Sequence, residues 1–168
     1  ERSKLFFEYV RLLEETKPKY FLLENVRMKK EYQDVISSAL GVEPILINSN
    51  LVSAQERKRL YWTNISNITQ PENKYIYLKD IIENGTVDRD KSYCLTAKYR
   101  NRNSQWKLHK QYFIKRQEQV VILPEGSFRS LSPLECERLQ NVPNNYTNCV
   151  SNSQRYKMLG NGWTVDVV

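Results

Sequence analysis

The chain has 168 residues, 40% of them hydrophobic, enough for one domain of ordinary size or a domain with a small appendage. Its 26 lysines and arginines outnumber 19 acidic residues, and the net charge of +7 suits a polyanion such as nucleic acid, although many domains are mildly basic. No apolar run approaches the roughly 20 residues of a membrane span. The sequence has one histidine and three widely separated cysteines (Cys94, Cys136 and Cys149), and this set offers no zinc site. We expect the cysteines to be reduced thiols.

An amphipathic helix is predicted first. Apolar residues recur at helical spacing from Leu5 to Leu13, charged residues take the other face, and Pro18 ends the pattern. The apolar run Tyr20–Val26 follows and predicts a strand buried on both faces, as in a parallel sheet.

Two polar residues, Glu24 and Asn25, end this strand. Ligands of open parallel sheets bind beyond the carboxyl ends of the strands. A carboxyl group beside an apolar strand is a candidate for a raised pKa, and therefore for a general acid or hydrogen-bond donor. The alternative from these residues alone is that Glu24 caps a loop or pairs with a lysine or arginine.

A second helix is predicted over Glu31–Leu40, with Gly41 as its C-terminal cap, and short strands over Pro44–Ile47 and Leu60–Ile65. Residues 1–66 therefore have the order helix, strand, helix, strand, strand, which predicts the back half of a doubly wound α/β sheet.

Between the last two strands lies a basic turn, Val52–Arg59, which contains Gln55, Arg57 and Arg59. If the sheet is parallel there, this turn lies on the same side as Glu24. Its guanidinium groups could then contact phosphates or a base carbonyl; the alternative is a solvated charged turn.

The composition changes after Gln70. A short helix is predicted over Tyr77–Ile82, and strands over Ser92–Ala97 and Val120–Leu123. Residues 98–107 interleave basic, aromatic and amide side chains, a mixture suited to phosphate contacts, base edges and stacking. The alternative is a flexible polar loop.

Near the C-terminus, Ser132, Pro133 and Glu135 predict a capped helix that runs to about Gln140, with Cys136 as a buried hydrophobic residue rather than a nucleophile. Another short helix is predicted over Ser153–Leu159, ending at Gly160. Thr164–Val168 then begins an apolar element.

Four separated stretches match one family in one order, and the chain resembles the cytosine-5 DNA methyltransferases. Its short recognition region, Val52–Ala54 and the Gly160–Trp163 stretch are similar to those of the de novo enzymes of animals and of relatives in bacteria and phages. The matching stretches are Glu24-Asn-Val26, Gln55-Glu-Arg-Lys-Arg59, Arg129–Pro143 and Leu159–Val165.

The resemblance implies the C-terminal half of a Rossmann-like methyltransferase sheet that uses S-adenosyl-L-methionine, with a small target-recognition region. It implies a partial catalytic domain over 1–70, a recognition region over 71–150 and a segment at the cofactor pocket over 151–168. The family's glycine-rich first motif and its Pro-Cys nucleophile do not occur in the 168 residues. We therefore expect a C-terminal portion that is inactive alone and that acts with either an N-terminal portion or a second subunit.

The resemblance also implies residue roles. Glu24 binds ring nitrogen 3 of a flipped cytosine, Arg59 contacts its carbonyl oxygen, and Arg57 lies near the backbone and the catalytic loop. Asn25, Asn161, Gly162 and Trp163 line the cofactor pocket, and no metal is involved. The basic residues expected to contact double-stranded DNA are Lys98, Arg100, Arg102 and Arg129.

Two other functions remain open at this point. One is a non-catalytic, methyltransferase-like regulatory subunit, which would have no need of Glu24, Arg57 and Arg59 together. The other is a tRNA cytosine-5 methyltransferase, against which the recognition loop argues only modestly. No membrane association is expected. A bacterial or phage protein would be located in the cytoplasm, where it could belong to a restriction-modification system. A eukaryotic protein would be located in the nucleus.

Overall fold

The computed structural model describes residues 4–100 and 115–168. The chain divides into two compact units, of which the first contains Glu1–Ile47 and Lys58–Gln70, and the second contains Asn48–Arg57 and Pro71–Val168. Residues 48–57, which the sequence groups with the catalytic region, thus belong to the second unit. Within the described ranges, no helix is both long and apolar enough to traverse a bilayer.

Four helices and five strands lie wholly within the described residues. The helices are α1 (Lys4–Thr16), α2 (Lys30–Leu40), α3 (Pro133–Leu139) and α4 (Asn152–Asn161). The strands are β1 (Leu22–Val26), β2 (Ile45–Asn48), β3 (Lys58–Thr63), β4 (Val120–Ile122) and β5 (Phe128–Ser130). Single 3-10 turns occur at Ser49–Leu51, Leu78–Asp80 and Val165–Val167.

The first unit holds a three-stranded sheet in the order β1-β3-β2. Its core is Trp62 with Ile36 and Leu60, and the Trp62 indole donates to Ser37 Oγ at 3.0 Å. Gly41 caps α2 in the left-handed conformation (φ 69°), as the sequence predicts.

The expectation for β1 is wrong in two respects. The strand pairs with β3 in antiparallel rather than parallel orientation. It is half-buried, and Val26 is exposed, because β1 is an edge strand of the sheet formed by the described residues. An edge strand has a neighbour on one side only, so an apolar run does not guarantee burial.

The core of the second unit is larger. Leu131, Leu139, Tyr156 and Leu159 pack there with Cys136, which is fully buried as predicted. Burial raises the pKa of the Cys136 thiol well above its ordinary value, as expected for a structural cysteine.

The predicted cap of α3 is confirmed. Ser132 Oγ accepts from the Glu135 N–H, and the Glu135 carboxylate accepts from the Ser132 N–H at 2.7 Å. The sequence missed β5, which pairs antiparallel with the predicted β4.

Three expectations in the second unit need correction. The Tyr77–Ile82 helix is only a 3-10 turn, and α4 continues through Gly160 to Asn161. The Ser92–Ala97 strand forms a single bridge, between Ser92 and Gln55. Beyond that bridge, the Leu95 N–H and C=O bond to the side chains of Gln55 and Arg57, so the segment joins no ladder.

Candidate functional site

Glu24 and Arg59 form an ion pair in the first unit. The register sets Val26 opposite Arg59 and Glu24 opposite Tyr61, so Glu24 and Arg59 are diagonal neighbours on one face. Arg59 Nε lies 2.8 Å from Glu24 Oε1, and the two side chains are 14% and 16% exposed. The antiparallel pairing therefore brings together the end of β1 and the start of β3.

This arrangement keeps both side chains partly accessible. Arg59 Nη1 also donates to the Lys58 carbonyl at 2.9 Å, which fixes the guanidinium at the strand start. A carboxylate and a guanidinium held side by side present acceptor and donor groups to the same ligand edge.

Asn25, a predicted cofactor residue, uses its Oδ1 to accept the Val26 N–H at 2.8 Å. It also borders a cavity of about 310 Å³ that is otherwise mainly apolar, with Phe6, Phe7 and Tyr32 among its lining residues. A single amide on an apolar wall is typical of sites for small organic ligands.

Arg57 lies in the second unit and is only 4% exposed. Its Nη1 donates to the Leu95 carbonyl and its Nη2 to the Gly162 carbonyl, each at 2.8 Å, and Nη1 lies 3.4 Å from Cys94 Sγ. The expectation of a guanidinium fork open to a ligand does not hold for Arg57, which instead cross-links two backbone segments.

A buried polar network surrounds this link. The amide of Gln55, fully buried, donates to the Leu139 carbonyl at 2.6 Å and to Gln140 Oε1 at 2.9 Å. Ser53 Oγ also donates to the Leu139 carbonyl. Sequence reasoning noted Gln55 but missed Gln140, for which the only signal is a polar residue directly after the buried Leu139.

The turn Asn161–Trp163 begins at the last residue of α4. Asn161 is exposed, and Trp163 is 40% exposed, whereas the next residue, Thr164, is buried. The Gly162 carbonyl accepts hydrogen bonds from the side chains of Arg57 and Gln140, which anchor the turn. An exposed indole and amide on an anchored turn are suited to contact a purine-bearing cofactor.

The predicted DNA contacts divide into three groups. Lys98 and Arg100 are exposed, and Arg102 lies outside the described residues. Arg129 instead donates from Nη1 and Nη2 to the two oxygens of the buried Glu135 carboxylate, at 2.8 and 2.7 Å, and Nη2 also donates to Asn84 Oδ1. The ion pair with Glu135 explains the position of the Arg129 guanidinium without a contact to DNA.

Comparison with known proteins decides the family. The model of the C-5 cytosine-specific DNA methylases matches residues 1–84 and 29–168, which together span the chain. The chain belongs to the C-5 cytosine-specific DNA methylase family.

The relatives of this family member include bacterial enzymes. The Type II methyltransferase M.FnuDI of Fusobacterium nucleatum is 30% identical over 99% of the chain and 67% of its own length. The Type II methyltransferase M.SsoII of Shigella sonnei is 28% identical, again over 99% of the chain, but over 55% of its own length. The chain thus spans between about half and two thirds of these curated relatives.

Solved methyltransferases share the fold. The Dnmt2 methyltransferase of S. pombe superposes with a TM-score of 0.63 at 18% identity, over 99% of the chain and 69% of its own. A prophage-encoded putative DNA modification methyltransferase of E. coli gives a TM-score of 0.63 at 16% identity, over 99% and 71%. The predicted Rossmann-like methyltransferase fold is confirmed.

The two units divide the methylase residues between them. Glu24, Asn25 and Arg59 belong to the first unit, and Arg57 and Asn161–Trp163 to the second. Within the second unit, three of the four family stretches meet in the network of Gln55, Leu139 and Gly162. The sequence also predicts that Glu24, Arg57 and Arg59 converge on one cavity for a flipped pyrimidine, and this stays a prediction.

Proposed function

We propose that this chain is the C-terminal portion of a DNA (cytosine-5)-methyltransferase, which transfers a methyl group from S-adenosyl-L-methionine to carbon 5 of a flipped cytosine in double-stranded DNA. The Glu24–Arg59 pair at 2.8 Å, in a chain of this family, carries the proposal. The chain supplies groups that bind the base and the cofactor. The nucleophile comes from another part of the protein or from a second subunit.

The base-binding step follows from the chemistry of cytosine. A stacked base cannot expose carbon 6 to a nucleophile, so it is extruded into a pocket. Arg59 then donates to the base carbonyl oxygen, while the Glu24 carboxyl shares a proton with ring nitrogen 3 and offsets the charge that develops in the ring. The Arg59–Glu24 ion pair must open or shift for both contacts to form.

Each unit by itself offers candidate residues for the cofactor. Trp163 offers an exposed aromatic ring and Asn161 an exposed amide, and Asn25 borders the apolar cavity. An aromatic ring and an amide on one turn, as in Trp163 and Asn161, fit S-adenosyl-L-methionine, whose adenine ring stacks and hydrogen-bonds. When bound, the cofactor supplies the methyl group.

DNA would be bound by the exposed basic residues of the recognition region. Lys98 and Arg100 are exposed, the sequence places Arg102 in the same basic stretch, and the net charge is +7. Arg129 remains in the proposal, although its pairing with Glu135 supports a structural role more directly. The bacterial relatives support a cytoplasmic location and a restriction-modification setting; they offer no support for a nuclear one.

The proposal is tested with the complete protein that contains this chain. Purified protein, labelled S-adenosyl-L-methionine and duplex DNA should yield labelled 5-methylcytosine, and Glu24→Gln should abolish most of the product while DNA affinity is kept. The 168-residue chain alone should transfer nothing.

Other outcomes would identify the alternatives. Labelling of tRNA but not DNA would establish the tRNA enzyme. Absence of transfer by the complete protein, together with stimulation of an added active methyltransferase, would establish the regulatory subunit. Near-normal methylation by Glu24→Gln would contradict the role given to that residue.

A further inference from the structure

Gln140 lies at the C-terminal cap of α3, where it is 1% exposed and joins several stretches of the second unit. Its amide nitrogen donates to the Leu159 carbonyl and, at 3.3 Å, to the Gly162 carbonyl. Its amide oxygen accepts from Gln55 Nε2 at 2.9 Å and from Thr164 Oγ1 at 3.0 Å. Its backbone carbonyl accepts from the Val165 N–H at 2.9 Å.

All of these contacts except the one with Gln55 reach residues 159–165, the stretch that contains the Asn161–Trp163 turn. α4 ends at Asn161, and the next 3-10 turn begins at Val165. The intervening residues 162–164 lie outside regular structure, and α4 holds them only through the Gly162 N–H, which donates to the Met158 carbonyl at 2.8 Å. Their positions depend on the groups that hold Leu159, Gly162 and Thr164.

We propose that Gln140 is a positioning residue for the cofactor: it fixes the turn that presents Asn161 and Trp163 to S-adenosyl-L-methionine, without touching the cofactor itself. This inference rests on the proposed function, which assigns that turn to the cofactor. Arg57 shares the task, since its Nη2 donates to the same Gly162 carbonyl at 2.8 Å.

A carboxamide is suited to this position because it presents a donor and an acceptor at one end. A glutamate would face the Leu159 and Gly162 carbonyls with oxygen alone. A methionine would preserve the volume but leave these carbonyls, Gln55 and Thr164 without this partner. Either change would free the turn while leaving Lys98 and Arg100, the predicted DNA contacts, untouched.

The test uses the complete protein with the substitutions Gln140→Met and Thr164→Val. The second removes the Thr164 hydroxyl, which donates to Gln140 Oε1 at 3.0 Å and accepts from Gln55 Nε2 at 3.4 Å. Ser132→Ala is the matched control, because it removes the cap of the same helix, α3, outside the network. The measurements are calorimetric affinity for S-adenosylhomocysteine, affinity for duplex DNA, and amide hydrogen exchange over residues 159–165.

We expect Gln140→Met to weaken S-adenosylhomocysteine binding roughly tenfold or more, with Thr164→Val between it and the wild type. Exchange at the Gly162 and Val165 amides should accelerate, and DNA affinity should stay within about twofold. Ser132→Ala should lower the melting temperature without weakening cofactor binding.

The inference is overturned if Gln140→Met weakens cofactor binding no more than Ser132→Ala, or weakens DNA and cofactor binding equally. If Gln140→Met does not fold, unchanged cofactor affinity in Thr164→Val overturns it. These failures leave the proposed function intact when the wild type methylates DNA. A wild-type protein that neither binds the cofactor nor methylates DNA would refute the proposed function, and the inference with it.

Discussion

Arg59 donates to the Glu24 carboxylate at 2.8 Å because antiparallel pairing of β1 and β3 makes them diagonal neighbours on one face of the sheet. Each side chain is about one-sixth exposed or less, so the pair is mostly buried. Removing one member would leave the other charge partly desolvated and without its partner. In the proposed function, the same two groups contact the base.

Glu24→Gln and Arg59→Ala should reduce methyl transfer by the complete protein by on the order of 100-fold each, because each removes a contact to charge that develops in the base. Arg59→Ala should also lower the melting temperature, because it leaves the mostly buried Glu24 carboxylate without its partner. Rates under single-turnover conditions and calorimetric melting provide the measurement. Lys58→Ala, an exposed neighbour, serves as the control, and equal losses of rate in Lys58→Ala and Arg59→Ala would argue against base contact.

Arg57→Lys should destabilise the second unit by about 3 kcal/mol, because one ammonium group cannot reach the carbonyls of both Leu95 and Gly162. Denaturant unfolding followed by fluorescence would measure the change. A stable Arg57→Lys protein would show that the two carbonyls find other partners.

Lys98→Ala and Arg100→Ala should each weaken DNA binding and lower the slope of log affinity against log salt by about 1, as expected for one lost phosphate contact. Fluorescence anisotropy at several salt concentrations would measure both. Arg102→Ala is expected to behave in the same way. Lys157→Ala, an exposed lysine on α4, should leave the slope unchanged.

Arg129 provides a contrast within the same titration. Its two-point pairing with Glu135 predicts that Arg129→Ala lowers stability and leaves the salt slope near that of the wild type. A slope reduced as far as in Arg100→Ala would return Arg129 to the DNA contacts.

Glu137 should make the second unit sensitive to acid. Burial alone would raise the pKa of Glu137, but hydrogen bonds from Thr147, Arg155 and Asn145 outweigh it and lower the pKa below the usual 4.5. A lowered pKa in the folded state means that the stabilisation is complete above the unfolded-state pKa. It is lost as pH falls from about 4.5 through the folded-state pKa.

Glu137→Gln should therefore cost about 3 kcal/mol at neutral pH, since it leaves Arg155 without its buried partner, and should flatten the fall in stability below pH 4.5. Urea unfolding between pH 3 and 7 would provide the measurement. Glu72→Gln removes the same charge from an exposed position. An identical pH profile in both variants would contradict the assignment to Glu137.

Gly160→Ala should destabilise the second unit by at least about 1–3 kcal/mol. An added Cβ would lie 2.2 Å from the Thr96 carbonyl carbon and 2.3 Å from the Ala97 nitrogen, and backbone atoms cannot rotate away. Thermal unfolding would measure this, with Gln154→Ala on the exposed part of α4 as the control. Because Lys98 follows the displaced segment, DNA affinity should fall as well.

The sequence alone predicts the local elements well where signals are short-range. The helix α1, the glycine cap at Gly41 and the Ser132–Glu135 capping box all depend on residues within a few positions of one another. The family also follows from the sequence, because the order of four motifs along the chain can be recognised without knowing which residues are in contact. The parallel pairing of β1 and the Ser92–Ala97 strand were wrong, since strand pairing depends on partners that local patterns do not specify.

What only the tertiary structure decided is how the predicted polar residues are used. Four arginines that look alike in the sequence have different roles. Arg57 is a buried link between backbone segments, and Arg59 is in a mostly buried ion pair with Glu24. Arg100 is exposed, and Arg129 pairs with a fully buried carboxylate. Gln55 and Gln140 meet across 85 positions of the chain. A side chain's hydrogen-bond partner depends on which backbone groups folding brings beside it, and over such separations composition and spacing carry no information about that.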